Sequence, residues 1–394
     1  MATVTRTDPP AQPDDDALPM GFSDLRDKIP VLGLKEYWYP ALKDKLVGWK
    51  KPVYLKMLGE DLCLFRGKSG KIAALQNACP HRGAMLSHGN CEFKGTVACF
   101  YHGFVFDEHG ECLAALGEGP NSPMPGQIRA RVYPTETRKG IVFVWMGEGE
   151  PVPLAEDIPE DFFDDSKVVL AWVTQWASNW RPCFENSFDS HVRYLHRNSA
   201  LLLMKDLYPA AFPSGRPKKV GLHRLMPTRS LSERSTVAQE FFPGLNAMWP
   251  RTNRRAWWTW LTDILRNAID SRLTPYSGSP DWDTGQHLPC MVRINYNTYM
   301  WTRWAVPIDE KTTRMFYCHT AVRRTAIGRA YEFLAYHMFH HWVMDRNFSA
   351  QDAPAAIHAY YDKPEYLAPT DAQLVGWRKF LLTARGMPGH QKRN

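Results

Sequence analysis

Residues 79–102 constrain this chain more than any other stretch. Cys79-Pro80-His81-Arg82-Gly83 is followed by Cys99-Phe100-Tyr101-His102-Gly103. Read as ligands, the pattern is Cys-x-His, seventeen residues, then Cys-x2-His. Two loops each offer one thiolate and one imidazole. That set suits a [2Fe–2S] cluster with Cys79 and Cys99 on one iron and His81 and His102 on the other, and replacing two thiolates by neutral imidazoles raises its potential. A structural zinc ion also accepts two cysteines and two histidines. Zinc motifs, however, group Cys-x2–4-Cys and His-x3–5-His, whereas each half here mixes one of each.

At 394 residues the chain is long enough for two domains, or one large one with a substantial core. Its 44% hydrophobic and 23% charged content is that of an ordinary globular protein. No run of about 18 apolar residues is present, so no membrane span is expected. The start, MATVTRTDPPAQPDDDALPM, lacks the basic and apolar regions of a secretory signal and reads as a flexible leader over 1–34. Beyond Cys79 and Cys99, the cysteines at 63, 91, 112, 183, 290 and 318 follow no framework spacing. Free thiols in a reducing, cytoplasmic setting are therefore expected. The net charge of +7 is dispersed, and in the second half only Arg216-Pro-Lys-Lys219 and Arg254-Arg255 stand out as local clusters. No nucleic-acid motif accompanies them, and a mildly basic surface equally suits an acidic electron-transfer partner.

From about residue 40 to 150 the chain reads as short strands between Gly and Asp turns: Val53–Leu58, Leu62–Phe65, Ile72–Leu75, Val97–Phe100, Phe104–Asp107 and Gly140–Trp145. This predicts a small antiparallel β domain over 35–155, with the ligand loops at hairpin tips. Pro151-Val-Pro-Leu and Ile158-Pro-Glu-Asp predict a hinge. A second domain over 156–394 follows. It mixes strand-like stretches, such as 256–261 and 292–297, with helical ones at 180–203 and 326–347. The expected class is α+β: an antiparallel β domain, then a mixed sheet with covering helices.

The other informative stretch is Glu185-Asn-Ser-Phe-Asp189-Ser-His191-Val-Arg-Tyr-Leu-His196. Two histidines five apart need one more carboxylate to make a 2-His-1-carboxylate triad, which holds Fe(II) and leaves positions open. Alone, such a pair is more often made of ordinary core or surface residues. A [2Fe–2S] centre on the same chain changes that weighting, because it passes single electrons and needs something to reduce.

At these residues the chain resembles the terminal oxygenase α subunits of Rieske non-haem iron oxygenases, from about residue 35 onward. The Arg-Gly after His81 and the Tyr before His102 are part of the likeness. Within the family it is most similar to the carbazole 1,9a-dioxygenase oxygenase group. That likeness rests on Tyr37-Trp-Tyr-Pro40, Pro151 to Asp165, Glu185 to Asp189, and Val375-Gly-Trp-Arg-Lys. The resemblance implies a helix-grip catalytic domain and mononuclear Fe(II) on His191, His196 and Asp352, the last in Phe348-Ser-Ala-Gln-Asp352. It also implies head-to-tail homotrimers in which Asp189 bridges His191 and a cluster histidine of the neighbouring subunit, His102. The spacing departs from the group, which has Asp-x2-His-x3-His where this chain has Asp189-x-His191-x4-His196. His-x4-His is the spacing of the naphthalene-dioxygenase and demethylase branches. On a regular helix Asp189 and His191 face nearly opposite ways, so a bulge or helix end is required. Glu185 is a weaker substitute for the bridge. Asp345, at helical spacing from His341 and His337, is a rival third ligand or a rival site, although three ligands from one straight helix wrap a metal poorly.

The function so implied is a terminal oxygenase. Electrons from NAD(P)H arrive through a ferredoxin or a flavin-dependent reductase, and O2 is used to hydroxylate a hydrophobic aromatic or heteroaromatic substrate. One rival is monooxygenation or oxidative demethylation, which His-x4-His-Arg197 mildly favours. A rival of another class is a Rieske electron carrier with a partner-binding second domain. With 13% aromatic residues the chain can line an apolar pocket; Phe184, Phe188, Leu201–Leu203 and Trp257–Trp260 are candidates. Arg181 and Arg193 read as surface or interface residues.

Overall fold

The computed structural model describes residues 21–188, 195–196, 199–200, 218–220, 224–226, 273–368, 371–388 and 390. Expectations at Asp189, His191, Arg193, Leu201–Leu203, Arg216–Pro217 and 254–261 lie outside these residues, as does most of the leader.

The first half is built from short strands. After β1 (Gly21–Phe22) come β2 (Trp38–Lys43), β3 (Val53–Met57), β4 (Glu60–Arg66), β5 (Ile72–Gln76), β6 (Thr96–Ala98), β7 (Phe104–Asp107), β8 (Cys112–Ala115), β9 (Val132–Tyr133), β10 (Thr135–Arg138) and β11 (Ile141–Trp145). They form antiparallel sheets ordered β3-β4-β5-β9, β6-β7-β8 and β10-β11-β2. Every strand expected between residues 53 and 145 is present, because Gly and Asp turns break the chain where the apolar runs end. Cys63, Phe65, Leu75, Leu86, Val97, Phe104 and Phe106 form a small core of their own, and Cys79 and Cys99 belong to it.

The second half holds one seven-stranded sheet among the described residues, ordered β12-β18-β17-β16-β15-β14-β13. These are β12 (Lys167–Trp176), β13 (Lys218–Val220), β14 (Arg224–Met226), β15 (Gly285–His287), β16 (Met291–Asn295), β17 (Met300–Asp309) and β18 (Thr312–Val322). Its pairings are all antiparallel, which corrects the expected mixed sheet. β17 and β18 show why: only Glu310 and Lys311 separate them, too few residues for the crossover a parallel pair needs. Over the sheet run α1 (Trp180–Glu185), α2 (Ala326–Ala335), α3 (Asp352–His358) and α4 (Ala372–Leu381), with β19 (Tyr366–Leu367) pairing back to β1. The helix expected for 326–347 is present, α-helical over Ala326–Ala335. From Tyr336 to Phe348 the helix widens to π geometry.

The turn after β3 joins the halves, with the Leu58 and Gly59 amides donating to the carbonyls of Pro307 and Ile308 in β17 at 2.9 Å. The expected hinge is strapped down. Trp38 Nε1 donates to the Val152 carbonyl at 2.7 Å, the Trp38 amide donates to Asp157 at 3.0 Å, and Leu154 and Ile158 are buried. The prolines keep 151–159 out of regular strand, but the flanking apolar residues Leu154 and Ile158 join the core. No helix among the described residues is long and apolar enough to cross a membrane.

Candidate metal centres

The two cysteine–histidine loops repeat one backbone design. In the first, the Cys79 amide donates to Ala84 O at 2.8 Å and the Gly83 amide donates back to Cys79 O at 2.8 Å. In the second, the Cys99 amide donates to Phe104 O at 2.8 Å and the Gly103 amide to Cys99 O at 3.1 Å. Each loop closes on a glycine at positive φ, +74° at Gly83 and +69° at Gly103. Other residues reach that region only at a cost. At Gly103 a Cβ would also fall 2.8 Å from Leu116 Cβ, so the backbone itself needs the space.

This pairing puts like beside like. The Cys79 and Cys99 thiols are buried and hydrogen-bonded to each other, while the His81 and His102 rings lie 4.8 Å apart and reach the surface. Burial pushes the Cys79 thiol up to about 11, while the His81 and Arg82 amides, donating to its sulfur, pull it down. Those N–H groups would stabilise a metal-bound thiolate. Tetrahedral zinc would bring its ligand atoms within about 3.8 Å of one another, from bonds of 2.0–2.3 Å. No three of these four residues bring ligand atoms within 4.8 Å of one another. Two sulfurs on one side and two imidazoles on the other fit two irons, not one zinc. The remaining cysteines are all free and buried.

The second centre forms where the helices cross β17 and β18. Trp301 and Arg303 of β17 stand opposite His319 and Tyr317 of β18, so all four side chains share one face. That face meets the helices through Trp301 Nε1 to Asp345 (2.9 Å), Tyr317 OH to Ser349 (3.0 Å) and Arg303 Nη1 to Asp352 Oδ2 (2.9 Å). His196 Nε2 lies 2.9 Å from Asp352 Oδ1, and both residues are buried. His196 Nδ1 donates to Gln351 Oε1 at 3.1 Å, and the ring stacks on Phe348 with centroids 4.0 Å apart.

Nε2 makes no hydrogen bond, although Asp352 Oδ1 lies 2.9 Å away. A buried ring nitrogen with no hydrogen bond, 2.9 Å from a buried carboxylate oxygen, fits a site that a shared cation would fill. The residues present therefore fit Fe(II), with His196 and Asp352 brought together across 155 residues of sequence.

Asp345, the rival, is satisfied without metal: it accepts from Trp301, from Tyr336 OH at 3.1 Å and from His341 Nδ1 at 3.0 Å. His337 stands exposed on the same helix. Glu185 is also engaged, accepting from Arg378 Nε and Nη2 at 2.8 Å and from Tyr361 OH at 2.9 Å. Phe184 and Phe188, proposed for the pocket, lie against Trp377. Arg181 donates to Ile29 O and covers Tyr361. Among the described residues, His319, Glu332 and His340 also bring ligand atoms within 4.8 Å of one another, but Glu332 is clamped by His319 and Arg323 at 2.5 Å each. Sequence reading missed Arg303 and Gln351. A lone arginine in an apolar strand carries no motif, and Gln351 is visible only as the neighbour of Asp352.

A two-loop [2Fe–2S] module followed by a helix-covered antiparallel sheet with a buried His–Asp pair defines a class, the Rieske oxygenase components. The Rieske [2Fe–2S] domain model matches residues 37–125. The homotrimeric ring hydroxylase model matches 145–387, and the chain belongs to that family. The terminal oxygenase component of carbazole 1,9a-dioxygenase from Metapseudomonas resinovorans is 36% identical over 190 residues, 48% of this chain and 49% of that protein. The oxygenase subunit of 3-chlorobenzoate-3,4-dioxygenase from Comamonas testosteroni is 35% identical over 170 residues, 42% of this chain and 39% of that one. The matched part thus spans about half the length of these curated relatives or less. Over the full fold, the oxygenase in the reduced oxygenase–ferredoxin complex of carbazole 1,9a-dioxygenase superposes with a TM-score of 0.67 at 26% identity, covering 94% of this chain and 93% of that one.

Proposed function

We propose that this chain is the terminal oxygenase of a three-iron system. A Rieske cluster sits on Cys79, His81, Cys99 and His102, in a domain over 35–155. Mononuclear Fe(II) sits on His191, His196 and Asp352, in a catalytic domain over 156–394. Electrons from NAD(P)H reach it through a ferredoxin, a flavin-dependent reductase or both, in the cytoplasm, and the product is a hydroxylated hydrophobic aromatic or heteroaromatic compound. The observation that carries this is the bare Nε2 of His196 facing Asp352 Oδ1, on a chain that also holds a Rieske domain.

Bound there, the iron would supply O2 activation. The chain's own residues do the rest. Gln351 Oε1, 3.1 Å from Nδ1 of His196, would hold a proton there and leave Nε2 for the metal. Phe348 fixes the plane of that ring. At the other centre the cysteines are buried and the histidines face outward, so the iron they would hold lies nearest the surface. Asp189 carries electrons between centres of neighbouring subunits.

A second reading, monooxygenation or oxidative demethylation, is supported by the His-x4-His spacing. It is also supported by a 30%-identical oxygenase subunit of 5,5'-dehydrodivanillate O-demethylase from Sphingobium. The deciding experiment is turnover of an aromatic panel with a surrogate reductase, scored by 18O incorporation. Two labelled atoms in the ring product support dioxygenation, one supports monooxygenation, and an unlabelled phenol released with formaldehyde supports demethylation. A protein with two irons per chain and no turnover on any ring would instead be an electron carrier.

A further inference from the structure

We infer that Arg303 is the positioning residue that presents Asp352 to the metal through a single oxygen. This deepens the proposed function and rests on its ligand pair, His196 and Asp352. The Arg303 side chain is 3% exposed and makes polar contacts to three residues in two segments. Nη1 donates to Asp352 Oδ2 at 2.9 Å and reaches Ser349 Oγ at 3.4 Å, and Nη2 donates to Asn186 Oδ1 at 2.9 Å. The guanidinium lies between Trp176 at 5.9 Å and Trp301 at 5.8 Å, so it has little freedom to swing.

A carboxylate can bind a metal through one oxygen or both. Here Oδ2 is held from the side of the sheet, and Oδ1 alone faces His196. A fixed fork decides which oxygen is offered, and a point charge does not. Restricting Asp352 to one oxygen keeps a position open that a second carboxylate oxygen would fill, and open positions are what a facial triad provides. Asn186 lies just past α1, in the segment that leads toward His196, and holds the other arm of the fork. One side chain thereby ties the histidine-bearing segment to the carboxylate-bearing helix.

The test uses the full-length trimer as Arg303→Gln, Arg303→Lys and Asp352→Ala, each checked for cluster absorbance and assembly. Protein stripped of mononuclear iron is titrated anaerobically with Fe(II). The ferrous site is then read by magnetic circular dichroism with the cluster oxidised. Arg303→Gln should weaken Fe(II) binding by about 10–100-fold, the usual cost of losing an outer partner of a ligand. Its ferrous bands should shift as Asp352 gains a second bond. Arg303→Lys keeps the buried charge without the fork, so it should fold even where the Gln variant does not. It should show the same band shift with a smaller loss of affinity. A Lys variant identical to wild type in affinity and bands would overturn the inference, since charge balance alone would then suffice. So would a folded Gln variant that binds normally. Wild-type iron binding in Asp352→Ala is a separate failure: it would remove the ligand pair itself, and the proposed function with it.

Discussion

His102 is partly exposed, its ring centroid 3.7 Å from that of Tyr101 and 4.8 Å from that of His81. It is the ligand most open to change without disturbing the buried thiols. His102→Cys should keep a cluster, because the loop's hydrogen bonds run through backbone atoms. Thiolate donates more charge than imidazole, so the potential should fall toward the roughly −400 mV of all-cysteine clusters. A redox titration followed by EPR reads the shift. An unchanged potential in a variant that retains two irons and acid-labile sulfide would mean His102 is no ligand. This candidate centre was legible in the sequence because its four proposed ligands lie within 24 residues and local turns bring their loops together. The second was legible only in part. Asp352 could be named by resemblance, but nothing local separates it from Asp345. What separates them is tertiary: Asp345 collects three donors, and Asp352 leaves one oxygen to a bare imidazole.

At the scale of elements, a buried ion network fastens α4 to α1. Arg378 sits at 1% exposure, donates to both oxygens of Glu185, and forks onto Glu365 as well. Tyr361 completes the shell of Glu185, and burial together with that carboxylate pushes its phenol far up. Removing one partner of a buried pair leaves the other charged and unsolvated. Arg378→Ala should therefore cost about 3–5 kcal/mol, read as a lower denaturant midpoint with the cluster spectrum intact before unfolding. A loss under about 1 kcal/mol would show that water reaches Glu185. Such elements explain what sequence periodicity could and could not show. Short strands ended by glycine turns announce themselves, so β3 to β7 and β11 were legible, whereas β8, β9 and β10, between residues 112 and 138, were not expected. The antiparallel order of the large sheet depends on which strands pair over long separations, and β12 pairs β18 across more than a hundred residues. Nor does any glycine or proline mark the change to π geometry at Tyr336. It coincides with the buried Asp345 and its three donors, a feature of packing and not of local propensity.

At the scale of the whole molecule, the cluster's histidine end needs a neighbour. Around His81 and His102 the surface carries Met85, Phe100, Tyr101 and Leu116, with Phe100 at 57% and Tyr101 at 54% exposure. An apolar rim around a redox centre suits a docking face. The family is described as homotrimeric, and a closed ring can set the cluster of one chain beside the iron of the next. Asp189 is the expected bridge: an anion between two imidazoles would fix both by charge-assisted hydrogen bonds. Asp189→Asn should then leave both metal centres filled and the cluster reducible, yet slow turnover by orders of magnitude. Mixing tests the geometry directly. A cluster-dead chain, His81→Ala, and an iron-dead chain, His196→Ala, should each be inactive alone. Co-assembled, they should regain part of the activity, because the cluster of one serves the iron of the other. A cyclic trimer of two kinds of chain contains at least one junction in the productive order. Mixed trimers, verified by mass, that recover no turnover would exclude the cross-subunit route, and an active monomer would exclude the need for any neighbour.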